Sequence, residues 1–436
     1  MSATFPLTPQ AQSPSPSLDN GQAQRVSSIL NGIFGNYSGP NFSIRFWDDS
    51  IWRSAPEGNV FEIFLCNQNA WRTLSTAPDQ VSLGEKYIKG EIEVGGDLSL
   101  ALRALPQIER ALEDYLPGTS FRTAAKKLIN RTSRALHWGA VHSKRRDAAA
   151  ISHHYDLSPE FYKLFLGPSM VYSCAYFRDW RNDLYTAQCD KMDLICRKLD
   201  LSGRDRFMDI GCGWGSLVLH AVEKYEVVGY GASLSRRQVD YANERIAGAN
   251  RKGQAQVYLS DFRDLSEVQA PVTKLASVGM CEHVGQTHID AYFREAYRLL
   301  LPGGLFLNHG ITQSSYAAND RPSFMDQYVF PDGELLTLTE MIRAAEGAGF
   351  EVRDVEDLRE HYEETLRRWV EALCLHEREA IALTDYETFR IWKLYMTGSA
   401  EAFRRGDIAI HQLLLSKNAE GQSAASKVRE GWYRHF

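Results

Sequence analysis

The stretch Phe207-Met-Asp-Ile-Gly-Cys-Gly-Trp-Gly215 constrains this chain more than any other. An apolar run ends at Asp209-Ile210, glycines follow at the alternate positions Gly211, Gly213 and Gly215, and residues 216–222 open a helix. That order describes a strand, a tight glycine turn and a helix N-terminus in about 15 residues. Glycine lets the backbone turn sharply and approach a ligand with no Cβ in between. The spacing is G-x-G-x-G, not the G-x-G-x-x-G of a dinucleotide pyrophosphate site, and this disfavours a phosphate ligand. A bare glycine triplet is equally compatible with a purely structural turn, so its surroundings have to decide.

Those surroundings alternate. Helical periodicity over 185–199 is followed by a strand at 207–210, a helix at 216–224, a strand at 227–230 and a helix at 235–247 with Ser233 as its expected cap. Further strands are expected at 255–259, 275–278 and 305–308, with a helix at 289–301 ahead of Pro302-Gly303-Gly304. Alternation in one direction implies an α/β fold. Its core is a doubly wound, mostly parallel sheet that takes ligands at the carboxyl ends of its strands. An aromatic-rich insertion (Tyr316, Phe324, Tyr328, Phe330) then interrupts it, and residues 360–417 read as largely helical.

The chain has 436 residues, more than one ordinary core accommodates. Residues 1–24, rich in Ser, Pro, Gln and Ala, are expected to be a disordered tail. Residues 25–120 read as a smaller α+β domain, with strands at 41–52 and 60–65, turns at 84–90 and 93–98 around a short strand, and a helix at 99–116. It shows no catalytic cluster, so packing or dimerisation is the plainer role and lipid binding the sharper one. Residues 121–150 form a basic linker. Between 121 and 146 there are eight cations (Arg122, Lys126, Lys127, Arg131, Arg134, Lys144, Arg145, Arg146) and no acid, interleaved with Phe121, Leu128, Leu136 and Trp138. Such a run is either a solvated connector or a surface for an anionic bilayer. Residues 151–436 carry the chemistry.

The net charge of −6 gives the whole molecule no attraction for nucleic acid or for an anionic membrane, so any such attraction must come from a local patch. Seven scattered cysteines without a C-x-x-C pair fit reduced thiols and a cytoplasmic setting. Neither a signal peptide nor a membrane span is expected, so a lipid substrate would be reached from the water side. His153-His154 lacks a third ligand at suitable spacing, and no metal site is expected.

With Asp209 ahead of the glycines, D-x-G-x-G-x-G resembles motif I of class I methyltransferases that use S-adenosylmethionine. Many of these carry an acid for the ribose after the next strand. Here that loop is Gly231-Ala-Ser-Leu-Ser-Arg-Arg-Gln238 and has none. The resemblance becomes specific in four phrases: Met170-Val-Tyr-Ser-Cys-Ala-Tyr176, Ser277-Val-Gly-Met-Cys-Glu-His-Val-Gly285, Leu307-Asn-His-Gly-Ile311 and Glu360-His-Tyr-Glu-Glu-Thr-Leu366. Together they are similar to the cyclopropane-fatty-acyl-phospholipid synthase family over about 150–417. The phrases G-E-x-Y-x-x-G (84–90) and G-G-D-L (95–98) resemble the additional domain of its phospholipid-acting members.

The resemblance implies S-adenosylmethionine bound by Gly211, Gly213, Tyr172 and Ser173 at its methionine end, with Asp209 beside them. Ser233, Leu234 and Gln238 would lie along the ribose, and Asp261 and Phe262 along the adenine. It also implies a bicarbonate ion held by Cys174, Glu282, His309, the Ile311 backbone and Tyr362. In this family the sulfonium methyl adds to an alkene, and proton loss from the added methyl closes a cyclopropane. A carboxylate-like base held by oriented donors in a dry pocket suits that step. Aromatic faces such as Tyr172, Tyr176 and Tyr328 suit a transient cation. The residue between His309 and Ile311 is Gly310, and little consequence is expected from it. The family further implies an unsaturated phospholipid partner, peripheral membrane association and a homodimer. Two other readings remain: methyl or methylene branching without ring closure, and a non-catalytic lipid-binding protein on a methyltransferase-like fold.

Overall fold

The computed structural model describes residues 20–75, 80–115, 157–251, 253–265, 271–314, 328–329 and 334–433. The chain divides into two compact units, Met1–Leu128 and Ile129–Phe436. The basic run at 121–146, His153-His154, and Tyr316, Phe324 and Phe330 of the insertion lie outside the described residues.

In the first unit, helix α1 (Asn20–Phe34) begins inside the segment expected to be a disordered tail. The single strand expected over 41–52 is instead a hairpin of β1 (Phe42–Arg45) and β2 (Ile51–Arg53), with Ile44 opposite Trp52. Asp48 makes the turn: its carboxylate accepts from the Ser50 backbone at 3.1 Å and the Ser50 hydroxyl at 2.6 Å. Strand β3 (Phe61–Leu65) lies parallel to β1, and β4 (Ile92–Gly96) pairs antiparallel to β3. Residues 84–88, expected to turn, belong to a helix (Gln80–Ile88), and the turn is confined to Lys89-Gly90, with Gly90 at φ +67°. Helix Leu98–Tyr115 passes through Pro106 and buries Ala104, Ile108 and Leu112. Phe42 stacks on Phe61 at 5.3 Å between ring centroids, at the centre of this core.

The second unit is built on a seven-stranded sheet in the order β10 (351–357), β11 (408–416), β9 (300–313), β8 (272–278), β5 (206–210), β6 (228–233) and β7 (255–259). Strands β5 (Arg206–Ile210), β6 (Val228–Ser233), β7 (Ala255–Leu259), β8 (Val272–Val278) and β9 (Leu300–Gln313) pair in parallel. The helices between them are Ser216–Tyr225, Arg236–Gly248 and Ile289–Leu299. The cap of the second is Ser235, whose hydroxyl accepts from the Gln238 backbone at 3.3 Å. Ser233, the expected cap, ends the strand instead.

The largest departure is at the C-terminus. Helices Arg359–Leu375, Glu377–Leu383 and Tyr386–Arg405 are present, but Ile408–Ser416 is a strand, β11. It is wedged antiparallel between β9 and β10 (Glu351–Asp357). Leu413, Leu414 and Leu415 are fully buried, and each such side chain stabilises by about 1.5–3 kcal/mol, which favours the sheet interior. A strand buried on both faces shows no alternation, so its continuous apolar run reads equally well as a helix.

Candidate active site

The glycine turn sits where β5 stops. Gly211 has φ +77°, and a Cβ there would come within 2.9 Å of Met280 Cγ. The backbone must therefore pass tightly under the loop that follows β8. Gly213, at φ +51°, faces open space, with nothing within 4 Å of where its Cβ would be. That open space belongs to a cleft of about 130 Å³. Tyr172, Ser173, Asp209, Gly211, Gly213, Ser233, Leu234, Gln238 and Phe262 line it, nine of the ten residues that the resemblance implies for the cofactor. Ser233 Oγ donates to Gln238 Oε1 at 2.8 Å and holds that amide against the cleft.

Asp261 does not line the cleft. Its carboxylate accepts from Arg263 Nε at 2.7 Å and Nη2 at 2.5 Å, and it caps a short turn at Phe262–Asp264. The structure thus keeps Phe262 as a wall and uses Asp261 locally. His283, next to Glu282, also lines the cleft.

Lys191 is the residue the sequence reading missed. It projects from helix Leu184–Lys198, is buried, lines the cleft, and donates to Ser173 Oγ at 2.8 Å. Gln188, one turn earlier, donates to the Ser173 carbonyl at 2.8 Å. The available signal was a pair of long polar residues, three apart, on a helix face that is otherwise buried. Asp209 is its buried counterpart. Asp209 Oδ1 has no hydrogen-bond partner among the described residues. Burial pushes the Asp209 carboxyl up to about 7, an effect that Lys191 opposes. Burial brings the Lys191 ammonium down to about 8, opposed by Cys174 and Asp209. A buried ammonium and a buried carboxylate with one unpartnered oxygen, lining the same cleft, suit a zwitterionic amino-acid group. With the open cradle at Gly213, this donor set fits the methionine end of S-adenosylmethionine.

Behind the cleft lies a second cluster. The His309 carbonyl accepts from the Gly279 backbone at 2.8 Å, and His309 stands opposite Val278 in the sheet. Val278 and Gly279 both line the cleft, so His309 is one backbone bond removed from it. The imidazole is completely buried, and burial holds it well below its ordinary pKa, so the ring is neutral. Its Nε2 has no hydrogen-bond partner among the described residues. Glu282 accepts from the Ile311 backbone N–H at 2.7 Å, and burial raises its carboxyl above the usual range. The Ile311 donor expected to face a bicarbonate ion is therefore engaged by Glu282. Cys174 is buried, with its Sγ 3.2 Å from the Ala175 carbonyl and 3.8 Å from that of Leu358. Burial pushes its thiol far up, which rules it out as a thiolate nucleophile. Tyr362 starts helix Arg359–Leu375 over the same Leu358 carbonyl. Its ring packs on Phe403 at 4.7 Å and edge-on against Trp369 at 6.1 Å.

Aromatic rings join the two clusters. Tyr172 packs against Trp369 at 5.2 Å and shares a hydrogen bond with Tyr395 at 3.0 Å between hydroxyls. Burial pushes the Tyr395 hydroxyl up to about 12, so it stays protonated. Tyr176 instead stacks on His361 at 4.8 Å. Gly310 proves to be constrained, contrary to expectation: a Cβ there would lie 2.1 Å from Cys281 Sγ.

With this geometry in place, comparison with known proteins is decisive. The family model for mycolic acid cyclopropane synthetase matches residues 142–413. This chain belongs to the cyclopropane synthase family. It is thereby an S-adenosylmethionine-dependent methyltransferase of a lipid-modifying family. A probable fatty acid methyltransferase from Pseudomonas putida is 37% identical over 398 residues, covering 90% of this chain and 96% of that one. Cyclopropane mycolic acid synthase 1 from Mycobacterium tuberculosis is 36% identical over 281 residues, covering 62% of this chain and 97% of the relative. A crystal structure of a mycolic acid cyclopropane synthase complexed with S-adenosylhomocysteine and CTAB superposes with a TM-score of 0.58 at 35% identity. It covers 62% of this chain and 97% of that one.

Proposed function

We propose that this protein transfers the methyl carbon of S-adenosylmethionine to the cis double bond of an unsaturated phospholipid acyl chain and closes a cyclopropane there. The observation that carries this reading is the buried, neutral His309 with an unpartnered Nε2, one backbone hydrogen bond from the cofactor cleft. When bound, S-adenosylmethionine supplies an electrophilic methyl carbon and bicarbonate supplies a base. The chain's own residues do the rest. Asp209 and Lys191, with Ser173, receive the charged amino-acid end of the cofactor and orient it. The rings of Tyr172, Tyr395 and Trp369 keep water away from the reacting carbons and offer aromatic faces to positive charge. His309, the Tyr362 hydroxyl and the Cys174 backbone are the donors for an anion, and Glu282 orients the strand that carries His309 by gripping Ile311. Held by these donors in a dry site, bicarbonate would supply a base already oriented toward the added carbon.

The phospholipid assignment draws on the extent of the match. The Pseudomonas putida relative aligns with 90% of this chain, whereas the mycobacterial synthase aligns with 62%. The first unit and the basic run at 121–146 fit a role at an anionic membrane surface on the cytoplasmic side. The homodimer belongs to the same proposal. Among the described residues no helix is long and apolar enough to cross a membrane.

The test is an assay of purified protein with S-adenosylmethionine and vesicles of a monounsaturated phospholipid, with and without bicarbonate. A gain of one CH₂ per acyl chain with high-field ring protons in the NMR spectrum supports the proposal. The same gain without ring protons favours the second reading, a methyl or methylene branch, which the relative named a fatty acid methyltransferase keeps open. No gain, and no S-adenosylmethionine binding by calorimetry, would leave a non-catalytic lipid-binding protein.

A further inference from the structure

Gln412 stands directly opposite His309 across the antiparallel β9–β11 ladder. Side chains of directly opposed residues share one face of a sheet. Both residues are completely buried, and Gln412 Nε2 lies 3.4 Å from His309 Nδ1. The amide oxygen Oε1 of Gln412 and the His309 Nε2 have no partners among the described residues. We infer that Gln412 is a positioning residue that fixes the tautomer of His309, holding Nδ1 as an acceptor so that Nε2 carries the proton and acts as a donor.

The argument is one of counting. A neutral imidazole has one N–H and one lone pair in its ring. An amide NH₂ is only a donor, so a ring nitrogen bonded to it must be the unprotonated one. The proton then sits on Nε2, and a buried N–H without a protein partner is costly unless something accepts from it. An anion would. The opposite arrangement, with the amide turned so that Oε1 accepts from Nδ1–H, would make Nε2 an acceptor and recast His309 as a base. Burial already keeps the ring neutral, so the tautomer alone decides what His309 offers. The neighbouring histidine acts on the His309 ring only through charge, which also keeps that ring neutral. His411 points to the other face of β11, where its Nδ1 lies 3.0 Å from Thr312 Oγ1. Metal-bound histidines are commonly oriented through their second nitrogen in this way, and the same physics applies where the first nitrogen holds an anion. This inference rests on the proposed anion-binding role of His309 for its catalytic meaning, but not for its test.

The experiment uses full-length protein labelled with ¹⁵N-histidine, in the presence of S-adenosylhomocysteine and bicarbonate. His309 signals are assigned by their loss in His309→Ala. The expected wild-type spectrum shows a pyridine-type Nδ1 and a pyrrole-type Nε2. Gln412→Glu, whose carboxylate can only accept from Nδ1, is expected to move the proton to Nδ1. It should lower kcat by about 10-fold or more while S-adenosylhomocysteine affinity stays within about twofold. A protonated Nδ1 in the wild type overturns the inference without any variant. So does a tautomer unchanged in both Gln412→Glu and Gln412→Leu. Turnover by His309→Ala reports on the other question. If that variant turns over like the wild type while Gln412 still sets the tautomer, the anion-site reading falls and the structural inference stands.

Discussion

The Glu282 carboxylate accepts a hydrogen bond from the Ile311 backbone N–H at 2.7 Å, which ties the turn after β8 to the strand that carries His309. Glu282 is half-buried and desolvation raises its carboxyl, a cost that the bond helps to offset. Removing the carboxylate frees the strand and leaves a cavity beside the reacting groups. Glu282→Ala is expected to lower kcat by about 10²-fold or more, with calorimetric affinity for S-adenosylhomocysteine within about twofold of wild type. Glu282→Gln, whose amide oxygen still accepts from Ile311, should retain more activity than the alanine variant. Wild-type turnover by Glu282→Ala would remove Glu282 from the site.

Asp209 and Lys191 make the apo protein sensitive to pH in opposite directions. The folded Asp209 carboxyl is raised from 3.8 to about 7, so its neutral form stabilises the fold at low pH, and this is lost as pH rises through about 7. Lys191 is lowered from 10.5 to about 8, so its contribution is present at high pH and is lost as pH falls through about 8. Asp209→Asn should therefore flatten the decline in apo stability across the lower window and leave the protein about 2 kcal/mol more stable at pH 8. The same change should weaken S-adenosylhomocysteine binding by about 10-fold or more, because the cofactor ammonium loses its counter-charge. Denaturant melts from pH 4 to 8 and calorimetry check both. An unchanged pH slope would show that Asp209 does not carry this burial cost.

Gly310 is needed for space. A methyl group there would meet Cys281 Sγ at 2.1 Å, inside a fully packed layer. Gly310→Ala is expected to destabilise the protein by about 1–3 kcal/mol. Adding Cys281→Ala, which removes the sulfur, should recover much of that loss in a double-mutant cycle. Additive losses would mean that the two side chains do not compete for one volume.

The basic run at 121–146 is assigned on charge alone. Replacing Lys126, Lys127, Arg131 and Arg134 by Gln should weaken sedimentation with anionic vesicles and reduce its dependence on salt. A near-surface cation contributes about 1 kcal/mol of attraction. Binding that stays unchanged would make the run a connector.

The parallel sheet and its cofactor turn were legible because each left a local mark. Gly211 and Gly213 sit at a strand end, helices alternate with strands, and the tetrad of phrases around Cys174, Glu282, His309 and Tyr362 appears in order. What was not legible depended on tertiary partners. Strand β11 is buried on both faces, so its run of Leu carries no period to separate it from a helix. Lys191 looks like an ordinary helix lysine until burial and Ser173 show otherwise. Asp261 had the right residue type, but Arg263, two positions on, captures its carboxylate. Gln412 lies about a hundred positions from His309, and only the β9–β11 register brings them opposite.

The central claim is methyl transfer to an alkene followed by loss of a proton from the added carbon. Its most direct test uses S-adenosylmethionine deuterated in its methyl group, with purified protein and monounsaturated phospholipid vesicles. The acyl products are read by mass spectrometry, and NMR of a parallel unlabelled reaction identifies the ring. The account predicts a product that keeps two of the three deuterons and, in the unlabelled sample, shows cyclopropane ring protons. A product without ring protons would contradict it: two retained deuterons would then identify a methylene branch, and three a methyl branch formed by loss of a proton from the acyl chain.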